Sequence, residues 1–436
     1  MQNLVTEIKE KKLIAIIRGV RSENVAKTVG ALLSGGINLV EITFDQTRKI
    51  PWEDTAKAIE LASAEHKNAV IGAGTVINLT QLELAVKAGA KFILAPDVNE
   101  EIIRATKAAG LVSIPGAMTP SECGAATRAG AEANVAVSLA NYGDEAEFVS
   151  KVPEHEIGQA AINALRRYGV GVKHVARGGE RLGVYYCEKG ASQRPSKVIY
   201  DRAYSAIAEA DKSDFDWEKI LEGADWFHFT GITPALSDIL AEVCLTAVKE
   251  AKKRGITVSC DLNYRKKLWQ REKAGKVMGE LLPFVDYLIA NEEDAKDVFG
   301  IEAEGSDVTG GKLNAEGYVS VARKLTEKFS HKGVAITLRE SKSANDNDWS
   351  GMLFTGGKAY FSKKYSVHIV DRVGGGDSFG GGLVHALVNG FSPERAIEFA
   401  VAASCLKHSV QGDFNLVTER EVNGLIGGDG SGRVQR

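Results

Sequence analysis

A chain of 436 residues exceeds the length over which one hydrophobic core keeps growing, so two domains and a seam between them are expected. Apolar residues make up 44% and charged residues 25%, and the formal net charge of -3 lacks the basic excess that nucleic-acid binding requires. The five cysteines, Cys123, Cys187, Cys244, Cys260 and Cys405, are scattered and never paired as C-x-x-C, which argues against a disulfide framework or a zinc site. The opening MQNLVTEIKEKK has no apolar signal core, and no run of about eighteen apolar residues occurs, so a cytoplasmic protein without a membrane span is expected.

From Leu13 to Gly130 the apolar runs LIAIIRG, LVEITF, AVIGAGTV, FILAP and LVSIPGA alternate with stretches of helical periodicity. Such alternation means parallel strands joined by crossover helices. In a parallel barrel the functional groups stand at the C-terminal strand ends, here Arg18, Glu41 with Thr43, Thr75, Pro96 and Pro115. In order and spacing, AIIRG, VEITF, GAGTV, ILAP and IPGAMTP resemble 2-keto-3-deoxy-6-phosphogluconate aldolase over roughly residues 1 to 131. The resemblance implies class I aldolase chemistry, with a Schiff-base lysine, Glu41 as proton shuttle, Arg18 on a carboxylate or phosphate, and Thr75 at the pyruvyl part.

The departures from that family are as informative. The family's lysine lies on the sixth strand, in V-V-K-x-F-P after a sequence like RAGAE; here RAGAE (128 to 132) runs into ANVAVSLANYG, a helical pattern without lysine. Lys91 precedes the strand FILAP and so belongs to the bottom face of a barrel, where a lysine serves solubility. Glu41 then reads either as a retained proton-transfer group or as a barrel glutamate paired with Arg18. An incomplete (β/α)8, TIM-type barrel of about five units cannot close, and its open edge should leave this domain loose unless another chain supplies strands.

From Glu132 the rhythm changes to a helix over 132–141, another over 155–168, and the short aromatic strands RLGVYYCE and SKVIYDR, which suggest a small β-sheet lid beside a larger body. The body follows as WFHFTG, TVSCDLN, DYLIAN and VAITL separated by helices, then MLFTGG, KAYFSKK and two closing helices; a doubly wound α/β sandwich is expected. Its chemistry concentrates in DRVGGGDSFGGGL. Gly374, Gly375 and Gly376 open a helix, leaving unblocked N–H groups and the positive helix end to face an anion, and Asp377 follows in the first turn. A carboxylate there can take a proton from a hydroxyl while the amides hold a phosphoryl group in transit. The glycines can also be parsed as a G-x-G-x-x-G dinucleotide signal, but the preceding strand VHIVDR and the acid right after the third glycine fit a ribokinase-like D-x-x-G-x-G-D signature better.

That signature, with GAEANVAVSLANYG, FTGITPALS, SCDLNYRKKLW, ANEEDA and CLKHSVQGDFN in order, resembles the 2-keto-3-deoxygluconate kinases over residues 130 to about 416. The resemblance implies Asp377 as catalytic base, and Gly130, Asn134, Tyr185, Tyr200, Arg202 and Arg265 at the sugar acid. Asn291, Thr337, Ser404 and His408 would lie at ATP, with His408 as a capping or packing residue, Mg²⁺ held mainly by phosphates and water, and a monovalent cation that the spacing does not specify. A keto acid offers a carboxylate for an arginine fork and hydroxyls for Asn and Tyr. Arg202 and Arg265 read otherwise as surface ion-pair residues, and Tyr185 and Tyr200 as sheet aromatics.

The family's opening strand V-x-x-F-G-E and part of its lid have no counterpart, and its double glycine is Ala129-Gly130 here, which should leave a gap in the sheet. Both resemblances meet at Gly130-Ala131-Glu132, so an in-frame join is read there, with regions 1–131, 132–426 and a flexible tail 427–436. Three functions follow: an ATP-dependent sugar-acid kinase, as a single chain or a homo-oligomer, an aldolase rescued by a partner, or an inactive fusion that binds ligand.

Overall fold

A computed structural model describes residues 2–11, 13–96, 99–115, 130–291, 293–302 and 315–428. The chain divides into two compact units, Met1–Cys123 and Gly124–Arg436. The side chain of Pro115, Cys123, the start of RAGAE and most of the expected tail lie outside the described residues.

The first unit comprises α1 (Gln2–Lys11), β1 (Ala15–Ile17), α2 (Ser22–Ser34), β2 (Leu39–Thr43), α3 (Trp52–Glu65), β3 (Val70–Gly74), α4 (Leu79–Lys87), β4 (Phe92–Ala95), α5 (Glu100–Ala108) and β5 (Val112–Pro115). Each of the five apolar runs contains a strand, and the strands pair in parallel in chain order, β1-β2-β3-β4-β5. Helix starts follow local chemistry. Asn78 Oδ1 accepts from Gln81 N at 3.0 Å, and Asn99 Oδ1 accepts from the amides of Glu101 and Ile102, which satisfies donors the first helical turn leaves free. Val25, Val29, Val40, Ile42, Ile59 and Ile71 form a buried core between helices and sheet. Among the described residues β1 pairs only with β2 and β5 only with β4, so this sheet is open at both edges.

The second unit comprises α6 (Ala131–Tyr142), β6 (Ser150–Val152), α7 (Glu156–Arg166), β7 (Val175–Arg177), β8 (Val184–Glu188), β9 (Lys197–Asp201), α8 (Trp217–Ile220), β10 (Trp226–Thr230), α9 (Ile232–Ala235), α10 (Asp238–Lys253), β11 (Thr257–Asp261), α11 (Arg271–Leu281), β12 (Tyr287–Ala290) and α12 (Asp294–Phe299). It continues with α13 (Ala315–Phe329), β13 (Gly333–Ser341), β14 (Asp346–Thr355), β15 (Lys358–Phe361), β16 (Tyr365–His368), α14 (Gly375–Val388), α15 (Pro393–Lys407) and α16 (Glu419–Ile426).

The main sheet has seven strands in the order β10-β11-β12-β13-β14-β15, with β16 also on β14. It is mixed: β10 to β13 are parallel, whereas β14 runs antiparallel to β13, β15 and β16. The order reversal of a doubly wound sheet is not present among the described strands, because β13 to β16 are joined by short connections that only antiparallel pairing tolerates. Alternate residues of each strand feed separate cores. Leu288 and Val334 pack with Val248, Met278 and Leu325 on one face; Ile289 and Ala335 pack with Phe379, Phe399 and Val401 on the other. The two aromatic runs form the expected hairpin-like pair, β8 antiparallel to β9. VHIVDR is strand only as far as His368, beyond which the chain turns toward the glycines. No described helix is long and apolar enough to cross a membrane.

Candidate active site

The glycine run builds the centre of a cleft of about 400 Å³ in the second unit. Gly374 has φ +79°, and a Cβ there would fall 2.0 Å from the Asp413 carbonyl oxygen, so only glycine makes this turn. A Cβ at Gly375 would meet the His408 ring at 2.8 Å, while one at Gly376 would meet nothing within 4 Å and points into open space. The loop is pinned from both ends. Buried Asp371 accepts from Val373 N at 3.2 Å and Gly412 N at 3.0 Å and pairs with Lys189 at 3.0 Å; burial pushes its carboxyl up, but these donors outweigh it and hold it below the usual range.

Asp377 stands in the first turn of α14. Burial raises its carboxyl to about 6, opposed by a 2.6 Å hydrogen bond from Asn134 Nδ2 and by the charge of Arg265. Asn134 comes from the first turns of α6, whose N-cap is Gly130. Around them the cleft is lined by Tyr185, Tyr200 and Arg202 of the β8–β9 region, by Arg265, by Asn291 just after β12 and by Thr337 in the middle of β13. The Arg202 guanidinium lies 4.9 Å from the Tyr200 ring centre and 5.7 Å from that of Tyr185, whose hydroxyl donates to Asp413.

Asn291 Oδ1 accepts from the amides of Glu293 and Asp294 at 2.8 and 2.9 Å, which turns its side chain into the cap of the following segment. Ser404 and His408 do not line the cleft. Both are buried behind the glycines: Ser404 Oγ donates to Gly375 O at 2.7 Å, and His408 Nδ1 donates to Ser404 O at 2.6 Å, so they brace the loop.

Three contributors were not singled out from sequence. Asp261, at the end of β11, is raised to about 8 by burial and by the charges of Asp294 and Asp377, so it is protonated at neutral pH. Asn263 holds it at 3.1 Å from a left-handed backbone position, φ +41°. Arg372 lines the cleft beside the glycines and donates to Ala344 O at 2.8 Å. Asp261 and Asn263 lie in DLNYR, where an acid and an amide closing a buried strand were the available signal.

In the first unit, Arg18 and Thr75 directly follow β1 and β3, and Glu41 stands in the middle of β2 between them. Glu41 is buried, which raises its carboxyl, and the Arg18 charge partly offsets the effect. A Cβ on Gly74 would overlap the Glu41 carboxylate, so Gly74 makes room for it, and Thr75 follows at φ +56°. Lys91 is exposed at the opening of β4, the opposite end from these three, as its position before FILAP predicts.

Comparison with known proteins agrees with this division. The profile of the pfkB family carbohydrate kinases matches residues 114–419, and that of the KDPG and KHG aldolases matches residues 4–136. A 2-dehydro-3-deoxygalactonokinase of Haloferax volcanii is 34% identical over 304 residues, covering 70% of this chain and 89% of that protein. The crystal structure of Thermotoga maritima 2-dehydro-3-deoxygluconokinase superposes with a TM-score of 0.66 at 53% identity, covering 69% of this chain and 90% of that one. A probable 2-dehydro-3-deoxy-6-phosphogalactonate aldolase of Rhizobium meliloti is 36% identical over 122 residues, 28% of this chain; the chain spans only 55% of that aldolase's length. The chain belongs to the pfkB family of carbohydrate kinases and carries, ahead of the kinase region, a partial KDPG and KHG aldolase region.

Proposed function

We propose that the chain transfers the γ-phosphoryl group of ATP to 2-keto-3-deoxygluconate, forming 2-keto-3-deoxy-6-phosphogluconate and ADP. The observation that carries this reading is Asp377, hydrogen-bonded to Asn134 and following the glycine turn at the head of α14. Asp377 takes the proton of the sugar hydroxyl, whose oxygen forms the new bond to phosphorus as the bond to the β-phosphate oxygen breaks. The amides that open α14 face the negative charge in transit. Arg265 and Arg202 suit the substrate carboxylate, and Gly130, Asn134, Tyr185 and Tyr200 suit its hydroxyls.

Asn291 and Thr337 would border ATP, with Arg372 near its phosphates; Ser404 and His408 act from behind the loop. Among the described residues no group of three or more His, Cys, Asp or Glu side chains is placed to hold a metal, and a backbone-lined phosphate site fits Mg²⁺ carried on the phosphates. Protonated Asp261 removes one negative charge from the cleft that receives them. The test is to incubate the purified chain with ATP, Mg²⁺ and either the gluconate- or the galactonate-type 2-keto-3-deoxy acid and to weigh the products. A singly phosphorylated acid supports the reading; none from folded protein sinks it.

Glu41, buried and within reach of Arg18, favours a second reading, an aldolase that cleaves 2-keto-3-deoxy-6-phosphogluconate to pyruvate and glyceraldehyde 3-phosphate. That chemistry needs a Schiff-base lysine, and Lys91 stands at the wrong end of the sheet. Incubation with pyruvate and borohydride should leave the mass of the chain unchanged; a trapped adduct would restore the aldolase reading.

The matched kinase and aldolase spans overlap over 114–136 and bracket Gly130-Ala131-Glu132. This overlap supports an incomplete (β/α)8 barrel joined in frame to the kinase.

A further inference from the structure

The second unit contains a larger cavity, about 920 Å³, that meets the catalytic cleft at Gly130, Tyr185 and Arg202 and otherwise extends beyond it. It runs along the outer edge of β10. Asp225 O accepts from Thr257 N at 3.2 Å and Gly231 N donates to Asp261 O at 2.9 Å, so the odd-numbered residues of this strand bond β11. By the alternation of a parallel ladder, the N–H and C=O groups of Trp226 and His228 face the other way, into the cavity. Thr230 N, next in that outward series, is met by Glu132 Oε1 at 3.2 Å. Among the described residues no strand pairs with this edge.

The strand β6, paired among the described residues on one side only, with β7, also lines the cavity. The remaining walls are apolar helices, through Val135 and Leu139 of α6 and Leu240 and Val243 of α10. The unpaired edge of β10, a second strand with one free side and apolar helices around one cavity make a slot shaped for one more strand. A segment buried on both faces must be apolar along its length, not merely on alternate residues. A compact small molecule would leave the outward groups of Trp226 and His228 unpaired, at the cost of buried backbone polar groups.

Charge narrows the occupant further. Inside, Glu132 Oε1 is already satisfied by Thr230 N, by Thr230 Oγ1 at 2.8 Å and by Thr233 Oγ1 at 2.6 Å, and Lys151 is held by Asp214 at 2.7 Å. At the rim, exposed Glu145, Glu222 and Asp225 present negative charge. We propose that the slot between β6 and β10 binds an extended segment of another polypeptide, with an apolar centre and basic flanks, which adds to the β10 edge as a strand.

The test uses the full chain and the capped peptide KKVIVFVKK as probe, with hydrogen exchange read at the Trp226 and His228 amides. Binding should slow both. His228→Pro removes an outward N–H that β11 does not use, a change that edge strands tolerate, and it should weaken peptide binding about tenfold or more while circular dichroism stays unchanged. Three results would overturn the proposal: no added protection at saturating peptide, equal binding by the proline variant, or protection that rises with protein concentration alone, which would assign the slot to a second copy of the chain.

Discussion

Gly374 and Gly376 lack side chains for opposite reasons. At 374 the backbone is left-handed and a methyl group would strike Asp413, so Gly374→Ala should lower the melting temperature and abolish turnover together. At 376 a methyl group meets no protein atom within 4 Å, so Gly376→Ala should fold as well as the parent or slightly better, while under the proposed reaction turnover falls because the methyl enters the cleft beside Asp377. Thermal melts beside kinase assays separate the two cases. Asp377 must be ionised to act as base, so kcat/KM should fall about tenfold per pH unit below about 6. Burial raises this carboxyl and the Asn134 bond lowers it, so Asn134→Ala should move the acid limb to higher pH in a pH–rate profile. Asp261 works in the other direction, on stability. Its folded-state carboxyl is raised to about 8, so the folded chain holds a proton that the unfolded chain releases near pH 4, and stability should be lost as pH rises through that window. Asp261→Asn, which mimics the protonated acid, should flatten that loss in urea titrations. The glycines and Asp377 were legible because one short string contains them. The state of Asp261 was not, since it depends on Asp294 and Asp377, which only the folded chain brings near.

At the scale of elements, the β8–β9 pair is tied to the body by Tyr185 to Asp413, by Lys189 to Asp371 at 3.0 Å, and by the Ser192 amide to Asn345 Oδ1 at 2.7 Å. Lys189→Ala should loosen this cover and raise KM for the sugar acid about fivefold with a smaller change in kcat, as loss of roughly one kcal/mol of substrate closure requires. Equal KM values would show that the cover closes without that pair. The pattern of elements was largely legible: the apolar runs of the first unit, the helix after Gly130, the aromatic strand pair and the glycine-opened helix all stand where periodicity put them. The strands MLFTGG, KAYFSKK and VHIVDR were legible too, but not the start of β14 at Asp346 in the polar stretch DNDWS, whose pairing with Gly333–Ser341 is a tertiary choice. Ser404, expected beside ATP, sits instead in the last turn of α15 with its hydroxyl on Gly375 O, and His408, read as a capping or packing residue, is the C-cap of that helix behind the loop.

At the scale of the molecule, two incomplete families of fold share one chain. The kinase region is matched over most of its relatives' length, while the aldolase region is matched over about half of one relative's, 55%. The consequences differ. The kinase region holds Asp377, the glycine turn, Arg202, Arg265 and Arg372 on one cleft, and among the described residues its sheet is open at the β10 edge. In the aldolase region Arg18, Glu41 and Thr75 lie on or directly after β1, β2 and β3, and among the described residues Lys91 stands at the other end of that sheet. Both patterns claim Gly130-Ala131-Glu132, and the matched spans overlap there, over 114–136; the open edge after β5, among the described residues, followed from counting strands.

The central claim, a kinase whose base is Asp377, is tested most directly by ATP consumption with 2-keto-3-deoxygluconate, run on the parent chain and on Asp377→Asn. The account predicts substrate-dependent turnover in the parent and a loss of about 10²–10⁴-fold in the variant, with ATP binding preserved. Turnover that survives the substitution, or a folded parent that consumes no ATP with this substrate, would contradict it.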